Sequence, residues 1–247
     1  MAATHRYDAI DALRGVALLW MTAFHFGFDL NHFGYWHQDY YRDPFWTVQR
    51  TVILSLFLFC AGLGQAVALH QGQSWQRFWR RWLQIAGCAL LVTAGSALMY
   101  PGSFIFFGVL HGMAVMLVLV RLTAAWGRWL WVAGALAVAL AHAAGAGLQG
   151  SAWAGLLNGG ALSWLGLVTV KPVTEDYVPV LPWLGVMWWG MAAGQWLLRR
   201  PPRALARPFS GWPGRSLAGL GRWSLSWYML HQPVMIGTLV LIGGVRG

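Results

Sequence analysis

Charged residues are scarce in this chain, and acidic residues are the scarcest of them. Only 10% of the 247 residues are charged, and only seven are Asp or Glu. A soluble domain carries about 25% charged residues, so the deficit excludes an ordinary soluble protein. The sustained polar and apolar alternation of a transmembrane β-barrel is also lacking. With 58% hydrophobic residues and a mean hydropathy of +0.52, the chain is predicted to be an all-α, polytopic membrane protein.

Other signals are missing as well. The first apolar run has no small-residue cleavage signature, so we expect it to remain as the first span. The chain has two cysteines, Cys60 and Cys88, and both lie in predicted spans, where they are interpreted as small packing residues. Glycine-rich phosphate loops, serine nucleophile elbows and heptad arrays do not occur in the sequence. These absences exclude the common nucleotide-binding, serine-hydrolase and coiled-coil classes.

Seven apolar runs approach the roughly 20 residues that a helix needs to cross a bilayer. They cover residues 10–31, 47–69, 82–99, 104–122, 129–148, 178–198 and 225–242. A further apolar stretch, 151–170, is rich in glycine and is expected to be a re-entrant or surface segment. The alternative is that this stretch forms an eighth span, but that would disrupt the alternation of basic loops with balanced or acidic loops.

Basic residues alternate between loops, which predicts the orientation of the spans. The basic loops hold Arg77, Arg80, Arg81, Arg121, Arg128, Arg199, Arg200, Arg203, Arg207, Arg215 and Arg222. The intervening loops, with Asp39, Asp43, Lys171, Glu175 and Asp176, are balanced or acidic. Positive loops stay in the cytoplasm, so the N-terminus is expected inside and the C-terminus outside a bacterial inner membrane. Because no repeat or long linker divides the chain, residues 1–247 are expected to form one seven-helix domain.

The net charge of +10 suggests a partner of negative charge. Since the arginines lie between apolar runs, we expect contacts with anionic lipid headgroups and no binding of nucleic acid. A second copy of the chain, forming a homodimer, is a further candidate partner.

The first run carries a polar face. Asp11, Arg14, Thr22, His25 and Asp29 fall within an arc of roughly 80° on a helix. Ionisable groups cost a few kcal/mol or more in lipid. We therefore expect this face to point into protein or water and to have a purpose beyond anchoring the chain.

Two histidines are the candidate catalytic groups of the spans. Asp29 lies four residues after His25, so its carboxylate is expected to orient the imidazole as a general base. His111, on the fourth run between Gly108 and Gly112, is predicted at about the same depth, roughly 10 Å below the outer surface. For both histidines the alternative is a purely structural role in packing.

A second group of polar residues is predicted nearer the cytoplasm. Arg14 can pair with Asp11 three residues earlier, or can contact a phosphate or carboxylate of a ligand that enters from inside. On the last run Tyr228 and His231 share a face, and Gln232 follows directly. These residues are candidates for binding a donor substrate.

The outer loops supply candidates for the acceptor site. Asp176 and Trp183 flank two prolines ahead of the sixth run, where a carbohydrate would stack on aromatic rings and bond to an acid; capping of the sixth helix by Asp176 is the alternative. The first outer loop contains His37 with other His and Asp residues, but their spacing fits no zinc pattern. No metal is expected.

The chain resembles a known family in a series of motifs that occur in order. They are Arg6, IDALRGVALLWM, His25, FLFCAG, FFGVLHG, DYVPVLPWLG and GRWSLSWYMLHQPV. In these motifs, over residues 6–243, it resembles the bacterial DUF1624 group. It is also similar to the catalytic domain of heparan-alpha-glucosaminide N-acetyltransferase and, more distantly, to the acyltransferase-3 membrane proteins.

The resemblance implies acyl transfer across a membrane. Acetyl-CoA or another acyl-CoA from the cytoplasm would donate to a sugar amine or hydroxyl on the outer side, with a histidine as general base. The heparan-modifying relatives have an asparagine where His25 stands and their histidine in the following outer loop, which here offers His32 and His37. The base is therefore His25 or His37, with His25 preferred for its carboxylate neighbour. The large lumenal insertions of the heparan enzyme are missing, so heparan is not the expected acceptor.

In this interpretation His25, Asp29 and His111 carry the reaction, with His111 polarising the acyl carbonyl or positioning the acceptor. Arg14 and His231 line the donor path. Two other classes of function remain open. A proton-coupled transporter would also use buried His and Asp residues, although it often has an internal repeat. A structural membrane protein would use them only to hold helices together.

Overall fold

The computed structural model describes residues 6–199 and 208–245, and nine α-helices dominate this part of the chain. The helices are α1 (Asp8–His32), α2 (Pro44–His70), α3 (Trp75–Met99), α4 (Val109–Leu122), α5 (Trp129–Gly147), α6 (Ala152–Asn158), α7 (Val180–Arg199), α8 (Trp212–Arg222) and α9 (Ser224–Val245). Two short 3₁₀ helices cover Ala124–Trp126 and Ser163–Leu165. The all-α class is confirmed.

Five of these helices are long and apolar enough to cross a membrane: α1, α2, α3, α5 and the Ser224–Gly243 part of α9. The helix α4 is apolar but shorter, with 14 residues. These lengths are those of a multi-pass helical membrane protein. The number of spans and the sidedness of the termini stay predictions.

Each of the seven apolar runs contains a helix, and two helices begin elsewhere than expected. The helix α3 begins at Trp75 because Ser74 caps it, accepting a hydrogen bond from the Arg77 amide at 3.4 Å. The helix α4 begins only at Val109 because the residues before it pair with another loop: Phe107 forms a parallel bridge with Tyr177. A side-chain cap in α3 and pairing with a distant loop in α4, rather than hydropathy, set these two boundaries.

The stretch 151–170 contains no helix of spanning length. It holds α6, of seven residues, and the 3₁₀ helix Ser163–Leu165. The Asn158 side chain, at the end of α6, links the two ends of the loop that follows by hydrogen bonds to Thr169. It accepts from the Thr169 amide at 2.9 Å and donates to the Thr169 hydroxyl at 2.9 Å. The eighth span that the sequence left open is therefore not formed here.

The chain divides into two compact units, and the first comprises residues 1–57 and 201–247. In its described part α8 packs tightly on α1. A Cβ atom on Gly221 would lie 1.8 Å from the Asp11 carbonyl oxygen, and one on Gly15 would lie 2.2 Å from the Leu217 carbonyl oxygen. Only glycine permits so close an approach of two helix backbones.

The helix α8 was not expected from the sequence, because Arg215 and Arg222 place this stretch in a predicted basic loop. Three other arginines of that predicted loop, Arg200, Arg203 and Arg207, lie outside the described residues.

The core of the first unit is rich in aromatic rings and comprises Leu18, Met21, Phe24, Tyr40, Trp46 and Ile53.

The second unit comprises residues 58–200, and glycines again set its helix packing. A Cβ on Gly190 of α7 would meet the Phe59 carbonyl oxygen at 2.1 Å, and one on Gly185 would meet the Gly134 carbonyl oxygen of α5 at 2.5 Å. Cys60 is buried, Cys88 is partly buried, and the two form no disulfide, in accord with their predicted packing role.

Candidate functional site

The polar face of α1 is bound by α9 within the first unit. His25 Nδ1 lies 2.8 Å from His231 Nε2, and the two rings meet edge to edge, with centroids 5.1 Å apart and planes inclined by 19°. His231 was expected nearer the cytoplasm than His25, and that expectation is wrong. The reason is α8, which packs beside Asp11 and Gly15, so that α9 begins alongside the middle of α1.

Asp29 pairs with the next residue of α9. It is only 3% exposed, and its Oδ1 accepts a hydrogen bond of 2.8 Å from Gln232 Nε2. The predicted contact between Asp29 and the His25 ring is therefore wrong, because each of these side chains binds α9 instead. His25 binds the ring nitrogen of His231, and Asp29, one turn later on α1, binds the side-chain amide of Gln232. The other oxygen, Oδ2, is buried and has no hydrogen-bond partner within the described residues.

Thr22 completes the contacts of this face. The indole Nε1 of Trp227 donates to Thr22 Oγ1 at 2.9 Å, and Thr22 in turn donates to the Leu18 carbonyl at 2.8 Å. The pairs 22–227, 25–231 and 29–232 ascend together, so α1 and α9 run in the same direction. The polar face meets protein side chains, as the cost of burying charge in lipid requires.

Tyr228 lies beside His231, in accord with its predicted face. Its ring centroid is 5.9 Å from that of His231, and its backbone carbonyl lies 2.8 Å from His231 Nδ1. Its aromatic ring packs against the core of the first unit.

The start of α1 forms an ion-pair cluster with the end of α8. The predicted pair of Arg14 and Asp11 is present, with Nη1 and Oδ1 at 3.1 Å. Arg222 binds Asp8 Oδ1 at 2.6 Å and lies 3.5 Å from Asp11 Oδ2. The pairing of Arg222 with Asp8 was missed, since 214 residues separate the two positions in the chain. Asp11 thus has a structural role, and its predicted contact with a donor stays a prediction.

His111, in the second unit, uses both ring nitrogens to hold the start of α4. Its Nδ1 accepts from the Gly108 amide at 3.3 Å. Its Nε2 lies 2.9 Å from the hydroxyl of Thr93, which donates its own hydrogen to the Ile105 carbonyl at 2.8 Å; Nε2 must therefore be the donor. This arrangement fits a positioning role better than direct polarisation of a carbonyl.

Asp176 caps a helix, but not the predicted one. Its Oδ2 accepts from the Val109 amide at 2.8 Å, so it caps α4 rather than the sixth span. The parallel pairing of residues 103–107 with residues 174–178 brings it there, with the Val178 amide donating to the Phe107 carbonyl at 3.0 Å. A carboxylate at a helix N-terminus also complements the helix dipole.

The residues around Asp176 include one strongly perturbed group. Burial raises the pKa of Tyr177 to about 12, and its hydroxyl donates to the Ser163 carbonyl at 2.6 Å. Trp183, the other predicted acceptor residue, is half-buried near the start of α7.

His37 is exposed in the loop that follows α1, and no hydrogen bond joins it to another described residue. Across residues 6–199 and 208–245, no group of three or more His, Cys, Asp or Glu side chains is placed to hold a metal ion. His37 thus lacks the fixed orientation that His25 has.

The second unit also holds an open cleft of about 390 Å³, apart from every predicted site residue. His70, Gln195 and Arg199 are among its lining residues, and the Gln195 side chain donates to the Ala124 carbonyl at 2.7 Å.

A protein-family model with the description "Heparan-alpha-glucosaminide N-acetyltransferase, catalytic" matches residues 6–233 of the chain. No curated protein and no solved structure matches it. The matched range includes α1 and the contact residues Trp227, His231 and Gln232 of α9.

Proposed function

The chain belongs to the heparan-alpha-glucosaminide N-acetyltransferase catalytic-domain family, and on that premise we propose that it is a membrane acyltransferase. It moves an acyl group, acetyl in the first instance, from cytoplasmic acyl-CoA to a sugar amine or hydroxyl on the outer side. The family gives the class of reaction. The observation that carries the site is the hydrogen-bonded His25 on the polar face of an apolar, span-length helix.

His25 acts as the general base. The acceptor amine or hydroxyl attacks the thioester carbonyl, a bond from carbon to nitrogen or oxygen forms, and the carbon–sulfur bond breaks. The proton that the acceptor loses passes to His25 and then to the departing thiolate, which leaves as CoA thiol. A positioned base of this kind contributes about 10²- to 10⁴-fold to the rate.

Asp29 binds the acceptor in this proposal. Its buried Oδ2, which has no hydrogen-bond partner in the described part of the chain, can accept a hydrogen bond from an ammonium or hydroxyl group. A buried carboxylate oxygen without a partner is costly, which supports a ligand or water at this position. Because Gln232 holds the other oxygen, the carboxylate is already oriented before the acceptor arrives.

The remaining predicted residues are assigned to the two substrates. Arg14, paired with Asp11 near the start of α1, would bind a phosphate of CoA, which suits a guanidinium. In the second unit Trp183 and Asp176 would contact the acceptor, and His111 holds the start of α4.

The parallel course of α1 and α9 supports the proposed topology. If the two helices both cross the bilayer, an odd total number of spans puts the two chain ends on opposite sides. Seven spans meet this condition, with the N-terminus in the cytoplasm and the C-terminus outside a bacterial inner membrane. Anionic lipids would contact the basic loops.

Replacement of His25 tests the proposed base. We expect His25→Ala to lower kcat for acyl transfer from labelled acetyl-CoA to an amino sugar by about 10²-fold or more. His37→Ala is expected to stay near wild type because that side chain is exposed and unanchored.

The matched control is His142→Ala. His142 is an exposed histidine of α5 whose Nδ1 bonds only within its own helix, to the Val138 carbonyl. Unchanged turnover in His25→Ala, with the protein folded, would exclude His25 as the base; a loss confined to His37→Ala would assign that role to His37.

A further inference from the structure

The proton positions on the two hydrogen-bonded histidines follow from their neighbours. His231 Nδ1 lies 2.8 Å from the Tyr228 carbonyl oxygen and 3.2 Å from the Trp227 carbonyl oxygen. A carbonyl oxygen only accepts hydrogen bonds. His231 Nδ1 must therefore carry the hydrogen.

The same argument extends to His25. A neutral imidazole has one protonated nitrogen, so His231 Nε2 carries a lone pair and accepts. Its partner at 2.8 Å is His25 Nδ1, which must donate. The proton of neutral His25 is thus on Nδ1, and its lone pair is on Nε2.

We propose that His231 is a positioning residue for the reaction, because it selects the tautomer of His25 whose Nε2 is basic. This inference rests on the proposed function, in which His25 is the base. When Nε2 takes the acceptor's proton, the chain from His25 Nδ1–H to His231 Nε2, and from His231 Nδ1–H to the Tyr228 carbonyl, stabilises the new imidazolium. His231 does not touch the substrate.

The sequence of α9 is suited to this task. His231 reaches back to carbonyls three and four residues earlier in its own helix, so its ring is fixed by local geometry. Gln232 binds Asp29 from the adjacent position, and Trp227 binds Thr22 one turn before. These two contacts fix the register of α9 against α1.

Substitutions of His231 separate tautomer selection from packing. The amide of Gln can accept from His25 Nδ1–H and donate to the Tyr228 carbonyl, whereas Leu fills the space and does neither. We expect His231→Leu to lower kcat about 100-fold with KM changed less than about 3-fold, as for loss of an orienting partner. His231→Gln is expected to keep kcat within about 10-fold of wild type. Added imidazole should partly restore His231→Ala.

The control on the same helix is Thr238→Val, whose exposed hydroxyl bonds only to the Val234 carbonyl; we expect no change in kcat. Wild-type turnover in His231→Leu would overturn the inference. Equal losses in His231→Gln and His231→Leu, without rescue by imidazole, would also overturn it, since packing would then account for the effect.

A measurement without substrate tests the tautomer directly. In protein labelled with ¹⁵N-histidine, and assigned with His25→Gln, we expect His25 to carry hydrogen on Nδ1 and none on Nε2 at a pH where the ring is neutral. A hydrogen on Nε2 would contradict the inference. If the wild type transfers no acyl group, the proposed function fails while this measurement still decides the tautomer.

Discussion

At the scale of single residues, the polar groups of α1 form hydrogen bonds with polar groups of α9. A helix that crosses lipid can carry His25 and Asp29 only if another element satisfies them, and His231 and Gln232 do so at 2.8 Å each. The sequence placed Asp29 next to His25 because the two are one turn apart. Such spacing makes a contact feasible, but long side chains from a neighbouring helix compete for the same groups.

A substitution of Asp29 tests its role in binding the acceptor. We expect Asp29→Asn to raise the acceptor KM by about 10-fold, since a charge-assisted hydrogen bond is worth about 1.5–3 kcal/mol. The amide oxygen can still accept from Gln232, so the fold should persist. Steady-state kinetics over a series of amino-sugar concentrations measures the effect. An unchanged acceptor KM would remove Asp29 from the acceptor site.

His111 gives the opposite expectation. Because both of its nitrogens bind protein atoms, His111→Ala should destabilise the protein by about 1–3 kcal/mol. Its effect on kcat should be much smaller than that of His25→Ala. Thermal unfolding in detergent together with kcat per folded molecule distinguishes the two effects. A loss of kcat as large as that of His25→Ala, without a loss of stability, would make His111 a catalytic residue.

At the scale of elements, hydropathy located the seven apolar helices but missed α8. The helix Trp212–Arg222 has 11 residues with two arginines, too short and too polar to be recognised as a span. Its place is set by the glycine contacts with α1, which no pattern within a single helix can reveal. The helix that Asp176 caps could not be predicted from the sequence either. The loop 174–178 brings Asp176 to the start of α4 through a tertiary contact.

A matched pair of glycine substitutions tests the packing of α8. Gly221→Ala would put a Cβ 1.8 Å from the Asp11 carbonyl oxygen, and we expect a loss of about 1–3 kcal/mol, the usual cost of overpacking. Gly219 is on the same helix with no atom within 4 Å of an added Cβ, so Gly219→Ala should be neutral or stabilising by up to about 1 kcal/mol. Thermal unfolding compares them. Equal stability of the two variants would contradict the close contact.

At the scale of the whole molecule, composition and apolar runs were enough to predict a helical membrane protein, and the order of the motifs was enough to predict its family. The sequence did not allow us to predict which polar side chains of different helices contact one another. Helix partners are chosen by close packing of small residues and by interhelical hydrogen bonds, and both depend on surfaces that lie far apart in the chain. His25 and His231, 206 residues apart, are the clearest example.

Acyl transfer across a sealed bilayer tests the account most directly. Proteoliposomes with the protein in one orientation would hold labelled acetyl-CoA on the side of the basic loops and an amino sugar on the other side. We predict that the labelled N-acetyl sugar appears on the acceptor side with the wild type, and that His25→Ala reduces its rate by about 10²-fold or more. Product that forms only when both substrates are on the same side, or that forms equally fast with His25→Ala, would contradict the account.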